Sequence, residues 1–301
     1  MSFLPIAIVA YALNGGAILI DKILLRTTLP NPITYTFFIN LFQILVIFLI
    51  PFGFKPELTP ATFWAISSGM VSVVSFYAYF ASLKRNEASI VGPVVGTFNP
   101  LFALLLGGLF LGQILTLNQY LAFFVLLIGS MLLTLNLWHG RLILNKYFFW
   151  MVAAGFFFGL SYVLLRQAFL TSSFLNAFII SRVSAALFAL TFLLYPVSRR
   201  QIFASRKFQE NITSRSTLIL LISGQTMGAL STTLLTIGTY FAHPSLVNSV
   251  FGVQYLVILA VAIILVKKHP HLLNEHLSQH AVLQKVSGAI IISLGLYLLA
   301  R

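Results

Sequence analysis

Ten long apolar segments fill most of this chain, and they constrain its fold more than any other feature. Hydrophobic residues make up 59% of the 301 residues and charged residues only 8%, whereas a soluble domain carries about 25% charged residues. A segment of about 20 apolar residues can cross a bilayer, and it crosses as a helix because lipid offers no partners to unpaired backbone groups. We therefore predict an all-α integral membrane protein with ten transmembrane helices. The predicted spans are 4–21, 33–52, 61–83, 88–111, 117–138, 147–170, 174–197, 217–241, 245–266 and 281–300.

Positive charge is concentrated in every second connection between these spans. Fourteen Lys and Arg residues lie in or directly beside the connections after the odd-numbered spans, against two, Lys55 and Arg301, on the other side. Because short cytoplasmic loops are rich in Lys and Arg, we predict that both termini lie outside the cytoplasm. We place the protein in the plasma (inner) membrane of a prokaryote. The net charge of +13 arises from these loops, so it indicates a lipid bilayer as partner and no nucleic acid.

An internal repeat accompanies the charge pattern. The stretches 89–96 and 245–252, which open the fourth and ninth predicted spans, align at an offset of 156 residues. Each half of the chain holds five spans, and an odd number means that the second half is inverted relative to the first. We predict two five-helix repeats, residues 1–145 and 146–301. Inverted repeats are typical of transporters whose site lies at the repeat interface near the bilayer midplane.

Three sequence features identify a resemblance to a known family. They are the Tyr-Phe-Ala-Ser-Leu-Lys run at 79–84, the small-residue stretch at 88–91 and the proline-bearing fourth span. With ten spans in two halves, the chain resembles the EamA family of the drug/metabolite transporter (DMT) superfamily. The resemblance implies export or exchange of small metabolites through a central cavity. It also implies that spans 1, 3, 4, 6, 8 and 9 surround this cavity, with spans 5 and 10 at the periphery.

Two arginines lie inside the predicted spans, Arg166 near the end of the sixth and Arg182 about two turns into the seventh. An arginine at the bilayer centre costs at least ~2.5 kcal/mol on insertion scales. Each side chain either reaches the nearby interface or binds a carboxylate or phosphate of a substrate. Arg166 corresponds to Lys22 at an offset of 144 residues, whereas Arg182 has no charged counterpart in the second span. Arg182 is therefore the stronger candidate for substrate binding.

The fourth and ninth spans supply further candidates. Pro93 and Pro100 each withhold a backbone donor, which predicts a kinked helix whose freed carbonyls need other partners. Asn99 either faces the cavity or makes an interhelical hydrogen bond. In the ninth span, Gln254 and Tyr255 lie at the equivalent depth, and we predict that they also bind substrate.

Polar residues of the first, third and eighth spans complete the predicted site. Asn14, Tyr77 and Gln225 are predicted to line the cavity. Asp21 and Lys22, at the end of the first span, are interpreted as an interfacial pair or gate. Because no carboxylate lies at the centre of a span, simple exchange of protons for cationic drugs is not expected.

The remaining motifs predict structure and not chemistry. Four Gly-x-x-x-Gly pairs predict close helix packing within the monomer: 92/96, 108/112, 155/159 and 224/228. The histidines at 269, 271, 276 and 280 are interpreted as a solvated loop and not as a metal site. The chain has no cysteine, and it contains no P-loop and no Gly-x-Ser-x-Gly elbow. We predict no catalytic residue, no metal and no cofactor.

These observations predict a secondary transporter, an exporter or exchanger of a small polar or amphipathic metabolite such as an amino acid. It would work by alternating access through a central cavity, as a monomer or weak homodimer. One alternative is a lipid-carrier or nucleotide-sugar translocator of the same superfamily, which would use the arginines on phosphate. Another is a non-transporting membrane subunit or an intramembrane enzyme.

Overall fold

The protein is a bundle of long helices. The computed structural model describes residues 3–27, 31–55, 58–85, 88–112, 115–134, 146–203, 215–257 and 279–300, and all secondary structure within them is helical. The α-helices are α1 (Phe3–Thr27), α2 (Pro32–Phe42), α3 (Pro60–Arg85), α4 (Ala88–Leu111), α5 (Leu117–Thr134), α6 (Lys146–Thr171), α7 (Phe174–Leu190), α8 (Pro196–Phe203), α9 (Arg215–Phe241), α10 (Pro244–Ser249) and α11 (Gln279–Ala300). Two 3₁₀ segments, Gln43–Phe52 and Thr191–Leu194, continue α2 and α7.

Seven of the described helices are long and apolar enough to cross a membrane. They are Phe3–Leu25, Pro32–Phe52, Pro60–Arg85, Val94–Leu111, Phe148–Thr171, Phe174–Leu194 and Leu218–Phe241. They correspond to the predicted spans one to four and six to eight. A shorter apolar helix, Leu117–Gly129, lies at the predicted fifth span, and residues 258–266 of the ninth lie outside the described residues. The chain is a multi-pass helical membrane protein.

Local sequence signals set several helix ends. The side chain of Asn31 accepts a hydrogen bond from the backbone N–H of Ile33 at the start of α2, directly before Pro32. Gly112 follows the last residue of α4 with φ +59°, a left-handed conformation that favours glycine. The bounds of α4 and α2 therefore follow from residues that are visible in the sequence.

Small residues allow the helices to approach closely. A Cβ at Gly159 of α6 would lie 2.9 Å from the backbone N of Ala103 and 2.9 Å from the backbone O of Asn99, both in α4. Gly155 faces the same helix, where a Cβ would lie 2.7 Å from the Cβ of Phe98. These contacts confirm the prediction of close packing within the monomer for this pair of glycines. In lipid, van der Waals contact between helices takes the place of the hydrophobic effect. By contrast, a Cβ at Gly108 would meet no atom within 4 Å.

The start of α2 shows which helix ends share a side of the bundle. Tyr35 of α2 meets Phe80 of α3 edge to face, with ring centroids 4.7 Å apart. The Thr34 hydroxyl donates to the carbonyl of Gln201 in α8 at 3.2 Å. The basic ends of α3 and α8 thus lie on one side, in agreement with the alternation of charge along the sequence.

On the other side of the bundle, two hydrogen bonds join the segment after the second span to α7. The Asn176 side chain, in the first turn of α7, accepts from the backbone N–H of Lys55 at 2.9 Å and donates to its carbonyl at 2.9 Å. The Ser173 side chain caps the same turn by accepting from the backbone N–H of Asn176. The segment after the first 3₁₀ helix is therefore fixed to the start of α7.

The contact of α6 with α4 makes a testable prediction about stability. We expect Gly159→Ala to lower the free energy of unfolding by about 1–3 kcal/mol, because the added methyl meets backbone atoms that cannot move aside. Gly108→Ala is the matched control, since its methyl points into open space and alanine favours a helix. Melting temperatures of the purified proteins in detergent measure the difference. Equal melting of Gly159→Ala and the wild type would show that the helices do not approach this closely.

Candidate functional site

Arg182 is held at mid-depth by uncharged groups. It lies in α7, where one guanidinium nitrogen donates to Gln43 Oε1 at 3.1 Å and the other to Thr236 Oγ1 at 2.7 Å. The guanidinium carbon lies 5.3 Å from the ring centroid of Phe178, one turn earlier, within range of a cation–π interaction. Arg182 thereby joins α7 to the second span and to α9.

A small polar cavity of about 20 Å³ lies next to Arg182, between the middle of α3, α6, α7 and α9. It is lined by Ser68, Ser72, Phe76, Phe158, Ser161, Tyr162, Leu165, Ser181, Arg182 and Thr232. Hydroxyl groups cluster here with the guanidinium, and aromatic rings complete the lining.

The cavity has one positive charge and no described counter-charge. Asp21 is the only acidic residue among the residues that the structure describes, and its carboxylate accepts a short hydrogen bond from the Tyr35 hydroxyl. The side chain of Lys22, predicted to pair with Asp21, lies outside the described part of the chain. Arg182 is therefore bound only by neutral partners among the described residues.

A second polar cluster forms where α1, α4 and α10 cross. The Asn248 amide donates to Asn99 Oδ1 at 3.2 Å, and the Tyr11 hydroxyl donates to Asn248 Oδ1 at 3.2 Å. Of the two interpretations of Asn99, its contacts match the interhelical hydrogen bond. One helical turn away on α1, the Asn14 amide donates to Gln254 Oε1 at 2.7 Å. Asn14 and Gln254, two predicted site residues that lie far apart in the sequence, thus form a direct hydrogen bond.

The helix interruption lies in the ninth span. α4 is helical through both Pro93 and Pro100, whereas α10 ends at Ser249 and the chain becomes helical again only at residues 252–257. The intervening amides of Val250 and Phe251 bond three residues back, to Val247 and Asn248, as in a 3₁₀ turn. The interruption therefore occurs in the span without prolines, beside the second polar cluster.

The glycines of α4 leave room for aromatic side chains of the ninth span. A Cβ at Gly92 would lie 2.3 Å from the Tyr255 hydroxyl, and one at Gly96 would lie 2.2 Å from the Phe251 ring. Tyr255 is partly buried. The two repeated stretches therefore pack against each other.

Buried tyrosines accompany both polar clusters. Tyr11 donates to the Asn248 side chain in the second cluster, and Tyr162 lines the cavity beside Arg182.

Arg166 has structural partners. Its guanidinium donates to the carbonyl of Thr239 at 3.2 Å and, through a shorter bond, to that of Tyr240. Both carbonyls belong to the last turn of α9, whose C-terminal groups lack partners within the helix. A cation at this end also interacts favourably with the helix dipole. These contacts indicate that Arg166 stabilises the end of α9.

The connection after α9 contains a buried histidine. The Nδ1 atom of His243 accepts from the backbone N–H of Ser245 at 3.2 Å and so caps α10. Burial, together with the positive charge of Arg166, lowers the pKa of His243 to about 4. His243 therefore stays neutral and serves as a helix cap.

Two other predicted residues lie apart from Arg182. The ring of Tyr77 packs against Trp150 of α6, with centroids 6.0 Å apart, and Trp150 is exposed on the outside of the bundle. Gln225 is half-buried and lies three turns before Thr236, on the same face of α9. Tyr77 thus faces the periphery, whereas Gln225 extends the Arg182 face along α9.

The structure does not describe the side chains of the four histidines in the predicted loop. Residues 269, 271 and 276 lie outside the described residues, as does the side chain of His280. Among the described residues, no three His, Cys, Asp or Glu side chains lie together as metal ligands would.

Four contact residues were not among the predicted candidates: Tyr11, Gln43, Thr236 and Asn248. Asn248 does stand in the repeated stretch, where it aligns with Gly92, and an amide near the start of an apolar span was a usable signal. Gln43 is likewise an amide inside an apolar span. The hydroxyl of Thr236 gave no such signal, because Ser and Thr hydroxyls in spans mostly bond their own backbone.

The role of Arg166 makes a second testable prediction. We expect Arg166→Gln to lower the melting temperature in detergent, because α9 loses charge-assisted bonds worth about 1.5–3 kcal/mol each. Lys84→Gln, which removes a cation from an exposed position, is the control and should melt like the wild type. An unchanged melting temperature for Arg166→Gln would contradict the structural role and favour substrate binding by Arg166.

Comparison with known proteins agrees with this architecture. The model of the EamA-like transporter family matches residues 2–135, and no curated protein matches the chain. Among solved structures, 28 chains match. One, described only as "Crystal structure of protein", has a TM-score of 0.60 and 15% identity, covering 99% of this chain and 98% of its own. At this identity the likeness shows the fold alone, and it extends over both halves. The first half of the chain, residues 2–135, matches the EamA-like transporter family, which belongs to the drug/metabolite transporter superfamily.

Proposed function

We propose that this protein is a secondary transporter that moves a small polar or amphipathic metabolite with an anionic group through a cavity at Arg182. The family is one of membrane transporters and not of enzymes. The observation that carries the proposal is the charge of Arg182, which lies among apolar spans and contacts only neutral partners among the described residues. A substrate carboxylate would supply the missing negative charge.

The magnitudes favour this interpretation. Placing an arginine at mid-span costs at least ~2.5 kcal/mol, and an interhelical hydrogen bond offsets only ~0.6 kcal/mol on average. The two bonds to Gln43 and Thr236 therefore leave much of the cost uncompensated. A bidentate carboxylate fits the planar guanidinium and neutralises it.

Alternating access between inverted five-helix repeats is part of the proposal, and helix packing supports it. A shift of five spans relates the packing of α1 with α9 to that of α6 with α3, and both pairs pack extensively. The same shift exchanges α5 with α11. Between these two helices, Gly129 faces Ile292 and Gly295 faces Leu126. Such reciprocal contacts are expected of a two-fold axis between halves.

The two halves differ in one respect. α4 is continuous, whereas its counterpart is interrupted after Ser249. Repeats with equal folds and unequal conformations are what a transporter open to one side requires, because exchanging the two conformations opens the other side.

Removal of the Arg182 charge tests the proposal. In proteoliposomes, we expect the wild-type protein to exchange at least one member of a radiolabelled panel of amino acids, organic acids and nucleotide sugars. Arg182→Gln should lower that exchange about tenfold or more, because it removes a charge-assisted hydrogen bond. Initial rates of counterflow measure the effect.

Lys84→Gln is the matched control for this experiment, since it removes a cation at an exposed site and should exchange at the wild-type rate. Full exchange by Arg182→Gln would exclude Arg182 from the binding site. If the wild type exchanges no member of the panel while empty liposomes hold their load, transport of these classes is contradicted.

Orientation has its own test, with non-cytoplasmic termini as the proposal. A reporter that is active only outside the cytoplasm, fused after Arg301, should be active, because the basic loops favour the cytoplasmic side. The control is the same reporter inserted after Arg200, on the basic side, which should be inactive. Reversal of both signals would overturn the orientation.

A further inference from the structure

In the cavity beside Arg182, the hydrogen-bond acceptors and the strongest donors lie on different side chains. Four of the hydroxyls that line it direct their protons to backbone carbonyls. The bonds run from Ser68 to Ser161 at 2.8 Å, from Ser72 to Gly69 at 2.6 Å, from Ser161 to Ser68 at 3.0 Å and from Thr232 to Gly228 at 2.9 Å. A hydroxyl that has donated its proton keeps only lone pairs for further bonds. The serine and threonine side of the cavity therefore accepts hydrogen bonds.

The guanidinium has the opposite chemistry. It carries five N–H donors and no acceptor. A ligand that satisfies both sides carries an anionic group for Arg182 and, within a few ångströms of it, a hydrogen-bond donor for the hydroxyl oxygens.

Charge decides which kind of donor fits. Beside a guanidinium, an ammonium group adds a second positive charge, which needs a carboxylate partner in a region shielded from water. Asp21, the acidic residue that the structure describes, is bonded to Tyr35. The other four, at positions 57, 87, 210 and 275, lie in connections between predicted spans. A neutral hydroxyl donor avoids this cost.

The remaining wall is aromatic. Phe76 and Phe158 line the cavity and meet edge to face, with ring centroids 5.2 Å apart. Leu165 lies beside them. These three side chains offer contact to an apolar body, and the ring of Tyr162 lines the cavity as well.

We propose that the occupant of this cavity, once the helices separate to admit a substrate, is an anionic hydroxy acid with an apolar body, and not a zwitterionic amino acid. The inference rests on the proposed function, since it names the substrate class of the same site. Arg182 binds the carboxylate, the hydroxyl oxygens of α3, α6 and α9 accept the substrate hydroxyl, and the phenylalanines contact the apolar part.

Matched compounds test the proposal, because they share a phenyl-bearing body and each differs from the next in one group. The probes are 3-phenyllactate, 3-phenylalanine and 2-phenylethylamine, added to the purified full-length protein. Binding is measured as the rise in melting temperature in detergent, since a ligand of the native state stabilises it. Transport is measured as exchange in proteoliposomes.

We expect 3-phenyllactate to raise the melting temperature and to exchange with a half-saturation concentration about tenfold or more below that of 3-phenylalanine, because the cavity lacks a partner for ammonium. We expect 2-phenylethylamine to have no effect in either assay. Arg182→Gln should abolish the effect of 3-phenyllactate, and Lys84→Gln should retain it. Arg182→Lys, which keeps the charge in case Arg182→Gln fails to fold, should bind more weakly than wild type.

The binding and exchange assays together distinguish a failure of the hydroxy-acid assignment from a failure of the proposed transport function. Equal or better exchange of 3-phenylalanine overturns the hydroxy-acid assignment and leaves the transport function standing. Binding of 3-phenyllactate that depends on Arg182 but gives no exchange supports the assignment and contradicts transport. Absence of any effect of 3-phenyllactate on the melting temperature overturns the assignment.

Discussion

The absence of water in the bilayer core governs this structure, because every polar group there needs a partner from the chain. Serine and threonine hydroxyls meet this requirement by bonding backbone carbonyls, as Ser75 does with Ser72 and Thr239 with Leu235. Asparagines and glutamines meet it across helices, as Asn14 does with Gln254. Arg166 meets it with the carbonyls at the end of α9. Arg182 is different, since its neutral partners satisfy hydrogen bonds but leave its charge unbalanced.

The same requirement explains why close packing and function share the same helices. Glycine and serine let α3, α4 and α6 approach until their backbones nearly touch. Such contacts place the hydroxyls in the middle of the bundle, where they line the cavity. Residues that hold the helices together are therefore also the residues whose hydrogen-bonding groups line the cavity.

Much of the fold could be predicted from sequence. The seven apolar helices begin and end within a few residues of the predicted spans, because length and apolarity are properties of the sequence alone. Capping residues such as Asn31 and Gly112 fix their ends for the same reason. The interruption after Ser249 could not be predicted, since no proline marks it and it depends on the packing of Phe251 and Tyr255 against α4.

The candidate site was predictable only in part. Arg182 stood out because a charge inside a span is costly, and Asn14 and Gln254 stood out as amides in apolar sequence. Which side chain meets which depends on how each helix is rotated, and that is set by contacts across the bundle. For this reason Tyr77, which seemed a lining residue by depth, lies beside Trp150 at the periphery, whereas Thr236 bonds Arg182.

The reciprocal bonds between Ser68 and Ser161 bear on how the cavity can open. Each hydroxyl donates to the carbonyl of the other residue, so sliding α3 along α6 by even one residue would break two buried hydrogen bonds. α9 makes no such reciprocal exchange with either helix among the described residues, and it packs mainly along α1. Its bonds to α6 are those that Arg166 makes at its C-terminal end. Away from that end, the wall of the cavity with the lower cost of displacement is α9, and α1 would move with it. The α3 and α6 pair would remain the fixed frame against which they move.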